Sequence, residues 1–246
     1  MSDIFPVLLL TGRPASGKSE ILDYLKKLPL PERRRRFHIG EMEEFDDFPI
    51  LWEAFEDDDL WEKNGKPRLV SERTFTYEGR TMPGYVFKDP FYWNFLIQKL
   101  CFNYERRLER APDLHTSTTV LFEFARGKEH GGWREAYRHL SERVLTTAAV
   151  IYVDVTWEES LRKNRRRYNP DEPDSILEHA LEDKKIEMLY KESDWAEFSG
   201  PDREFLHVGN RRVPYAVFRN MPEITDQPEK LGRHLEEVTT ALWQRR

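Results

Sequence analysis

The segment that most constrains this chain lies near its N-terminus, where an apolar strand is followed at once by a glycine-bearing loop and an amphipathic helix. From residue 12 it reads Gly12-Arg13-Pro14-Ala15-Ser16-Gly17-Lys18-Ser19-Glu20. Gly12 and Gly17 permit a tight loop that points successive backbone N–H groups inward. Because the positive end of the helix dipole lies just beyond the loop, the segment predicts an anion site between a buried strand and a helix.

The spacing G-x-x-x-x-G-K-S is that of the phosphate-binding P-loop. It predicts that residues 12–20 bind ATP, with Lys18 reaching the β- and γ-phosphates and the Ser19 hydroxyl ligating Mg²⁺. The apolar run before the loop is typical of a buried parallel strand, and apolar residues recur at helical spacing after it. A glycine turn that binds no ligand is the alternative interpretation.

The composition limits the classes of protein to which the chain can belong. Its 246 residues suffice for one substantial domain, so we expect a single domain over 1–246. The net charge of −6 argues against binding of nucleic-acid polymers, and the lack of a signal peptide or long apolar run predicts a cytoplasmic protein with no membrane association. Cys101 is the one cysteine, and the seven histidines lack the spacing of a zinc site.

Strands and helices alternate along the chain, which predicts an α/β fold with a parallel sheet covered by helices on both faces. The expected strands lie at 5–10, near 36–39, and at 118–124, 149–155, 205–208 and 213–218. The expected helices lie at 17–28, 91–110, 133–145, from 157 to the break at Asn169-Pro170, at 174–190 and at 229–243. Within 66–88 we expect a β-hairpin that turns at Glu78-Gly79.

An acid and an arginine follow the apolar run at 118–124. Glu123 lies at the carboxyl end of the expected strand, the sheet edge that faces the phosphates in a fold of this kind. Glu123 is therefore a candidate to hold Mg²⁺ or its waters, and Arg126 is a candidate to bind the anion of a substrate. A salt-bridged strand end is the alternative, although a carboxylate in a buried run is costly without a partner.

A basic helix follows the next buried strand. Arg162, Arg165 and Arg166 lie at positions i, i+3 and i+4, so they share one helix face. Because arginine binds phosphate oxygens bidentately, Arg162 and Arg166 are candidate catalytic residues in a lid over about 160–175. A solvated basic face is the alternative. Asp154, at the strand end, is expected to be structural, with Mg²⁺ coordination as the second interpretation.

Together, the P-loop, the acidic strand end and the Arg-rich helix resemble the P-loop nucleoside and nucleotide kinases, with the nearest likeness to the deoxynucleoside kinase and thymidylate kinase branch. The likeness covers residues 5 to about 195. It implies a P-loop NTPase fold with an Arg-rich lid. It also implies that Lys18 and the lid arginines stabilise the transferring phosphoryl group, while Ser19 and Glu123 position Mg²⁺.

Two departures from that family pattern concern catalysis. The family carries an acid directly followed by arginine, whereas two residues separate Glu123 from Arg126 in this chain. The family also places a catalytic carboxylate after its second strand, and several acids are available in this part of the chain: Glu41, Glu43, Glu44, Asp46 and Asp47. A general base is needed for a hydroxyl acceptor but not for a phosphate. Glu41, nearest the expected strand end, is our candidate for the base.

Aromatic residues between 45 and 93 include Trp52, which we expect to line a substrate pocket for a planar ring within an insertion at 41–90. Core packing explains such residues equally well. The sequence predicts a phosphotransferase that moves the γ-phosphoryl group of ATP to a small acceptor, foremost a nucleoside or nucleotide. A kinase of a non-nucleotide metabolite or antibiotic, or an NTP-binding switch protein, remains an alternative. The apolar stripe of helix 91–110 fits either a homodimer face or packing on the sheet.

Overall fold

A computed structural model of the chain describes residues 3–167 and 182–246. The strands in these residues are β1 (Val7–Gly12), β2 (Glu41–Asp46), β3 (Ser71–Tyr77), β4 (Arg80–Phe87), β5 (Thr118–Phe124), β6 (Ala148–Asp154), β7 (Phe205–Val208) and β8 (Arg211–Arg219). Six of them form the main sheet in the order β2-β5-β1-β6-β8-β7. Neighbouring strands are parallel from β2 to β8, and β7 pairs antiparallel with β8 at one edge. The other two, β3 and β4, form a separate antiparallel hairpin.

Helices lie on both faces of the main sheet, since parallel strands must be joined by crossover connections. The helices in the described residues are α1 (Lys18–Lys27), α2 (Leu30–Phe37), α3 (Asp47–Lys63), α4 (Tyr92–Arg110), α5 (Gly132–Arg138), α6 (Glu142–Thr147), α7 (Trp157–Arg167), α8 (Asp183–Tyr190), α9 (Trp195–Ser199) and α10 (Pro228–Gln244). None of these described helices has both the length and the apolar character needed to span a bilayer.

Alternate residues of β1 contribute to two apolar cores, one on each face of the sheet. Val7 and Leu9 pack with α4, α5 and α9 on one face. Leu8 and Leu10 pack with α1, α2 and α10 on the other face. Every residue of β1 is buried, as expected for a strand that is covered on both faces. The predicted α/β fold, with a mostly parallel sheet flanked by helices, is confirmed.

The second strand lies later in the chain than the sequence predicted. The strand expected near 36–39 is wrong, because Leu30–Phe37 form α2, which ends at His38 in the left-handed conformation. Strand β2 occupies Glu41–Asp46 at the edge of the sheet, where it pairs with β5. An edge strand keeps contact with solvent and tolerates charged side chains, which is why the acidic composition of this strand concealed it.

Other expected elements differ in their bounds. The helix expected at 91–110 is α4, and its apolar stripe is buried against the sheet, which favours the packing interpretation. The homodimer stays a prediction. The helix expected at 133–145 is divided into α5 and α6 by residues 139–141. The helix expected at 174–190 is seen as α8, and its part before residue 182 lies outside the described residues.

The hairpin of β3 and β4 turns at Glu78-Gly79, where both residues have positive φ. A carboxylate on α3 holds the hairpin in place. Asp58 accepts hydrogen bonds from the backbone N–H groups of residues 69–71 at 2.6–3.0 Å and from the Ser71 hydroxyl at 2.7 Å. Because these four bonds tie the start of the hairpin to α3, they also position Tyr85 of β4 at the cleft described below.

Candidate functional site

The loop between β1 and α1 needs glycine at two positions. Gly12 has a φ of 155°, and an added Cβ atom would lie 2.6 Å from the carbonyl oxygen of Val153 on β6. Gly17 has a φ of 111°, and a Cβ atom there would lie 2.6 Å from Nδ2 of Asn220. Backbone conformation and close contacts therefore both require the two glycines of the motif.

Two side chains from other elements hold this loop in place. Asn220, which follows β8, donates from Nδ2 to the carbonyl of Ser16 at 2.8 Å. The hydroxyl of Ser160 on α7 donates to the carbonyl of Pro14 at 2.7 Å. The first N–H groups of α1 have no partner within the helix, as in any α-helix. The loop therefore has a supported shape, and it lies at the start of a helix, an arrangement suited to an anion.

Lys18 is buried at the start of α1. Its Nζ atom donates to the carbonyl of Arg13 at 3.1 Å and lies 3.8 Å from Oε1 of Glu123. Burial lowers the pKa of Lys18, and the nearby carboxylate of Glu123 partly opposes this effect. The structure thus brings together two of the predicted site residues, one from the loop and one from the end of β5.

Three carboxyl groups meet beside Lys18 at the carboxyl edge of the sheet. Asp46 and Glu123 are register partners on β2 and β5, and Asp47 follows directly at the start of α3. Burial, reinforced by the charges of Asp47 and Glu123, raises the pKa of Asp46 to about 7. Burial also raises the pKa of Asp47 and of Glu123. Asp46 is therefore an acid whose protonation changes near neutral pH.

Arg126 is almost fully buried and bound on several sides. Its guanidinium donates to Oδ2 of Asp47 at 2.6 Å and to the carbonyl of Trp93 at 2.8 Å. Its Nε atom has no hydrogen-bond partner among the described residues. Because the pair with Asp47 joins the start of α3 to the end of β5, Arg126 positions the acids and leaves one donor for a ligand.

The loop, the acids and Arg126 open into one cleft with a volume of about 320 Å³. The loop end includes Ser16, Lys18 and Ser19. The opposite end is mainly apolar and is lined by Phe48, Pro49, Leu51, Trp52, Phe55, Tyr85, Val86, Trp93, Leu189 and Tyr190. The predicted pocket residue Trp52 thus lies in this cleft. A cleft with one polar and one aromatic end suits the binding of two chemically different groups.

Helix α7 turns a different face to the cleft from the one that the sequence predicted. Asn164 and Arg167 line the cleft. Arg162 is half exposed and pairs with carboxylates of α7 and of the segment after β8, and Arg166 is exposed. The structure therefore does not bring the predicted pair Arg162 and Arg166 to the other site residues. Residues 168–175 of the expected lid lie outside the described residues.

Glu41 lies at the amino end of β2, away from the carboxyl edge where the cleft opens. Its exposed carboxylate is 3.4 Å from Nη2 of Arg33. At about 3.3 Å per residue, the extended strand separates Glu41 from Asp46 by roughly 16 Å. The expectation that Glu41 supplies a base is thus corrected, because β2 begins at this residue instead of ending just before it.

Ser16 and Ser19 leave polar atoms for a phosphate-bearing ligand. The Oγ atom of Ser16 is buried without a hydrogen-bond partner among the described residues, and Ser19 lines the cleft in the first turn of α1. Within 3–167 and 182–246, no group of three or more His, Cys, Asp or Glu side chains is arranged to hold a metal ion. The Ser19 hydroxyl fits Mg²⁺, which binds through few protein ligands together with substrate phosphates.

Two residues of the predicted loop set connect the loop to its surroundings. Arg13 donates to the carbonyls of Tyr190 and Lys191, so it joins the loop to the end of α8. Glu20 lies 3.3 Å from Nη2 of Arg167 and thus helps to hold this arginine beside the cleft.

The sequence grouped Asp46 and Asp47 with the other acids of this region without singling them out. One signal was available, because Asp-Asp-Phe-Pro is typical of a helix start. Asp46 caps α3 by accepting a hydrogen bond from the N–H group of Phe48 at 3.0 Å. A helix that begins at Asp47 requires the preceding strand to end at Asp46. The sequence placed Arg167 in the basic run at 162–167 without singling it out, and it missed Lys185, for which we find no local signal.

No protein-family profile matches the chain, and no curated protein matches it. Among solved structures, TT1252 from Thermus thermophilus matches at 16% identity and a TM-score of 0.46 over 97% of this chain and 99% of that one. APE1195 matches at 16% identity and a TM-score of 0.40 over 97% of both chains. An unliganded sugar kinase from Janibacter sp. HTCC2649 matches at 14% identity and a TM-score of 0.35 over 96% of both. The α/β fold follows from this chain's own strand order and register.

Proposed function

We propose that this protein is a P-loop phosphotransferase that transfers the γ-phosphoryl group of ATP to a hydroxyl group of a small acceptor. The observation that carries the proposal is that the 12–19 loop and Asp46 open into the same cleft. The loop suits a triphosphate, and Asp46 suits the removal of a proton from the acceptor. The aromatic end of the cleft suits the body of the acceptor.

The loop end of the cleft supports the binding of ATP. Lys18 and Arg167 supply positive charge there, and the first turn of α1 supplies backbone N–H donors. The Ser19 hydroxyl would hold Mg²⁺, and Glu123 would hold its waters. When bound, ATP with Mg²⁺ supplies the phosphoryl group and a cation that offsets part of its negative charge.

Asp46 is suited to act as the general base. The acceptor oxygen forms a bond to the γ-phosphorus while the bond from that phosphorus to the β–γ bridging oxygen breaks, and ADP leaves. The hydroxyl proton passes to the carboxylate of Asp46, whose pKa of about 7 leaves it partly ionised, and therefore able to accept a proton, at neutral pH. A phosphate acceptor would need no base, so Asp46 favours a hydroxyl acceptor.

The aromatic end of the cleft favours an acceptor with a planar or apolar body. Phe55 and Tyr85 stack there with their ring centroids 5.1 Å apart, and Trp52 packs edge-on against Tyr85. Nucleosides and nucleotides are the first acceptors to test, because their bases are planar. Aromatic metabolites and antibiotics that carry a hydroxyl group form the second class.

The test measures ADP formation from ATP and Mg²⁺ with a panel of nucleosides, nucleotides, sugars, aromatic alcohols and aminoglycosides. We expect one chemical class to stimulate ADP formation well above the rate without acceptor. The variants Lys18→Ala and Asp46→Asn should lose this stimulation, since each lacks one half of the machinery. If ATP binds but no acceptor stimulates the reaction, transfer is contradicted and an NTP-binding switch protein becomes the better explanation.

A further inference from the structure

Lys185 brings an amine to the aromatic end of the cleft. This residue lies on α8 and lines the cleft together with Tyr85 and Val86 of β4. A Cβ atom added at Gly84 would lie 3.7 Å from Cδ of Lys185, an ordinary van der Waals distance, so the aliphatic part of the lysine packs beside β4. The lysine therefore extends along the hairpin instead of pointing freely into solvent.

Most charged side chains that line the cleft form ion pairs, and two of them do not among the described residues. Three cations each have a carboxylate within 4 Å. The pairs are Lys18 with Glu123, Arg126 with Asp47, and Arg167 with Glu20. Among the described residues, neither Asp46 nor Lys185 has an ion-pair partner of this kind. Asp46 is the base of the proposed reaction, so Lys185 is the remaining charge without an assigned role.

The surroundings of Lys185 favour an anion that comes from outside the chain. Burial lowers the pKa of Lys185 to about 8, and the carboxylate of Glu182 opposes this effect. Glu182 is exposed, so solvent screens its charge. The amine is still mostly protonated at neutral pH, in a place where water is partly excluded. An unpaired cation in such a place gains stability when an anion binds beside it.

We propose that the acceptor carries an anionic group, a carboxylate or a phosphate, which Lys185 binds at the aromatic end of the cleft. This inference rests on the proposed function, because it describes the molecule that receives the phosphoryl group. The acceptor hydroxyl lies towards Asp46, and the planar body of the acceptor packs against Phe55 and Tyr85. Lys185 is thus a binding residue that determines specificity and takes no part in the chemical step.

The test is a binding experiment that needs no phosphoryl transfer. Benzoate and phenyl phosphate serve as anionic probes, and benzamide and benzyl alcohol serve as uncharged probes of similar size. Binding is followed by the fluorescence of the tryptophans, two of which, Trp52 and Trp93, line the cleft. We expect one anionic probe to bind at least tenfold more tightly than the uncharged probes, a difference of about 1.4 kcal/mol.

Two variants test whether Lys185 causes the tighter binding of the anionic probe. Lys185→Met should remove it, because methionine keeps the apolar stem without the charge. Lys184→Met is the matched control and should keep it, since Lys184 is exposed and pairs with Glu187 at 3.1 Å. A preference for benzoate points to carboxylic acid acceptors, and a preference for phenyl phosphate points to phosphate monoesters. Circular dichroism verifies that both variants fold, and Lys185→Gln replaces Lys185→Met if that variant does not.

Three results of the binding experiment would overturn the inference. The first is equal binding of charged and uncharged probes to the unaltered protein, which requires no variant to observe. The second is an anion preference that survives in the Lys185 variants, and the third is a preference that Lys184→Met abolishes equally. Each result is independent of the ADP assay. Transfer to an uncharged acceptor would likewise contradict the role of Lys185 while leaving the proposed function intact.

Discussion

Replacing Asp46 with asparagine is expected to abolish phosphoryl transfer and at the same time to stabilise the folded protein at neutral and alkaline pH. The two effects have one cause, which is the placement of an ionisable carboxyl group in a partly buried position beside Asp47 and Glu123. Asparagine has nearly the same shape but cannot ionise. It therefore removes both the base and the free-energy cost of a crowded negative charge.

The size of the stabilisation follows from the pKa. The pKa of Asp46 rises from an ordinary 3.8 to about 7, which corresponds to about 4 kcal/mol. Because the side chain is partly exposed and solvent screens its charge, we expect Asp46→Asn to raise the free energy of unfolding by only about 1–2 kcal/mol. The folded state binds more protons than the unfolded state between these two pKa values. Its stability therefore falls as the pH rises from about 4 to about 7 and is level above that range.

The measurement is urea-induced unfolding of both proteins at several pH values, with activity measured in parallel. The free energy of unfolding of Asp46→Asn should equal that of the unaltered protein at about pH 4. The difference in favour of the variant should grow up to about pH 7 and remain constant above it. In the unaltered protein, kcat/KM should fall about tenfold per pH unit below pH 7, and the variant should lose about 10² or more. Glu41→Gln, at the other end of the same strand, should match the unaltered protein in both assays.

Two results would refute this reasoning. If Asp46→Asn is no more stable than the unaltered protein at pH 8, the carboxyl group does not carry a raised pKa. If Asp46→Asn keeps its activity while Glu41→Gln loses it, the base lies at the amino end of β2, which contradicts a strand that runs from Glu41 to Asp46 with its carboxyl end at the cleft.

Further expected outcomes concern other residues of the site and of the hairpin. Lys18→Ala should abolish ADP formation while leaving the circular dichroism spectrum and the unfolding midpoint close to those of the unaltered protein. Arg126→Met should lower the free energy of unfolding by about 3–5 kcal/mol, because it leaves a buried carboxylate without its partner; urea unfolding measures this. Asp58→Asn should cost about 2 kcal/mol in the same assay and raise proteolysis of the hairpin, since it weakens four hydrogen bonds. Arg167→Ala should lower kcat at least tenfold while Arg166→Ala changes it much less, and equal losses would contradict the orientation of α7.

Local sequence patterns predicted most of the fold. The strands β1, β5 and β6 are continuous apolar runs, and α4 shows apolar residues at helical spacing, so each could be predicted from its own residues. Strand β2 and helix α3 were missed because neither has such a pattern. The strand lies at the sheet edge, and the helix packs on both the sheet and the hairpin, so polar and apolar residues follow no single period.

The sequence predicted some residues of the candidate site and not others, because only some of them are determined by a local pattern. Glu123 follows from its place at the end of an apolar strand, and the structure sets it beside Lys18. The choice among the arginines of α7 was different, because the sequence shows only that Arg162 and Arg166 share a face. Which face points to the cleft depends on the burial of other residues, including Ser160 and Asn164. That choice is made by packing across the whole helix.

The local sequence determines the polar end of the cleft, since a glycine-bearing loop, a lysine and a serine lie within eight consecutive residues. Backbone conformation and the helix start are local properties, so a short segment specifies them. The other end depends on the tertiary structure, because it joins side chains of α3, β4, α4 and α8. Asp46 and Lys185 lie far apart in the chain and carry no common pattern. Their meeting in one cleft follows from the strand register of the sheet and from the apolar burial that packs the hairpin and α8 over its carboxyl edge.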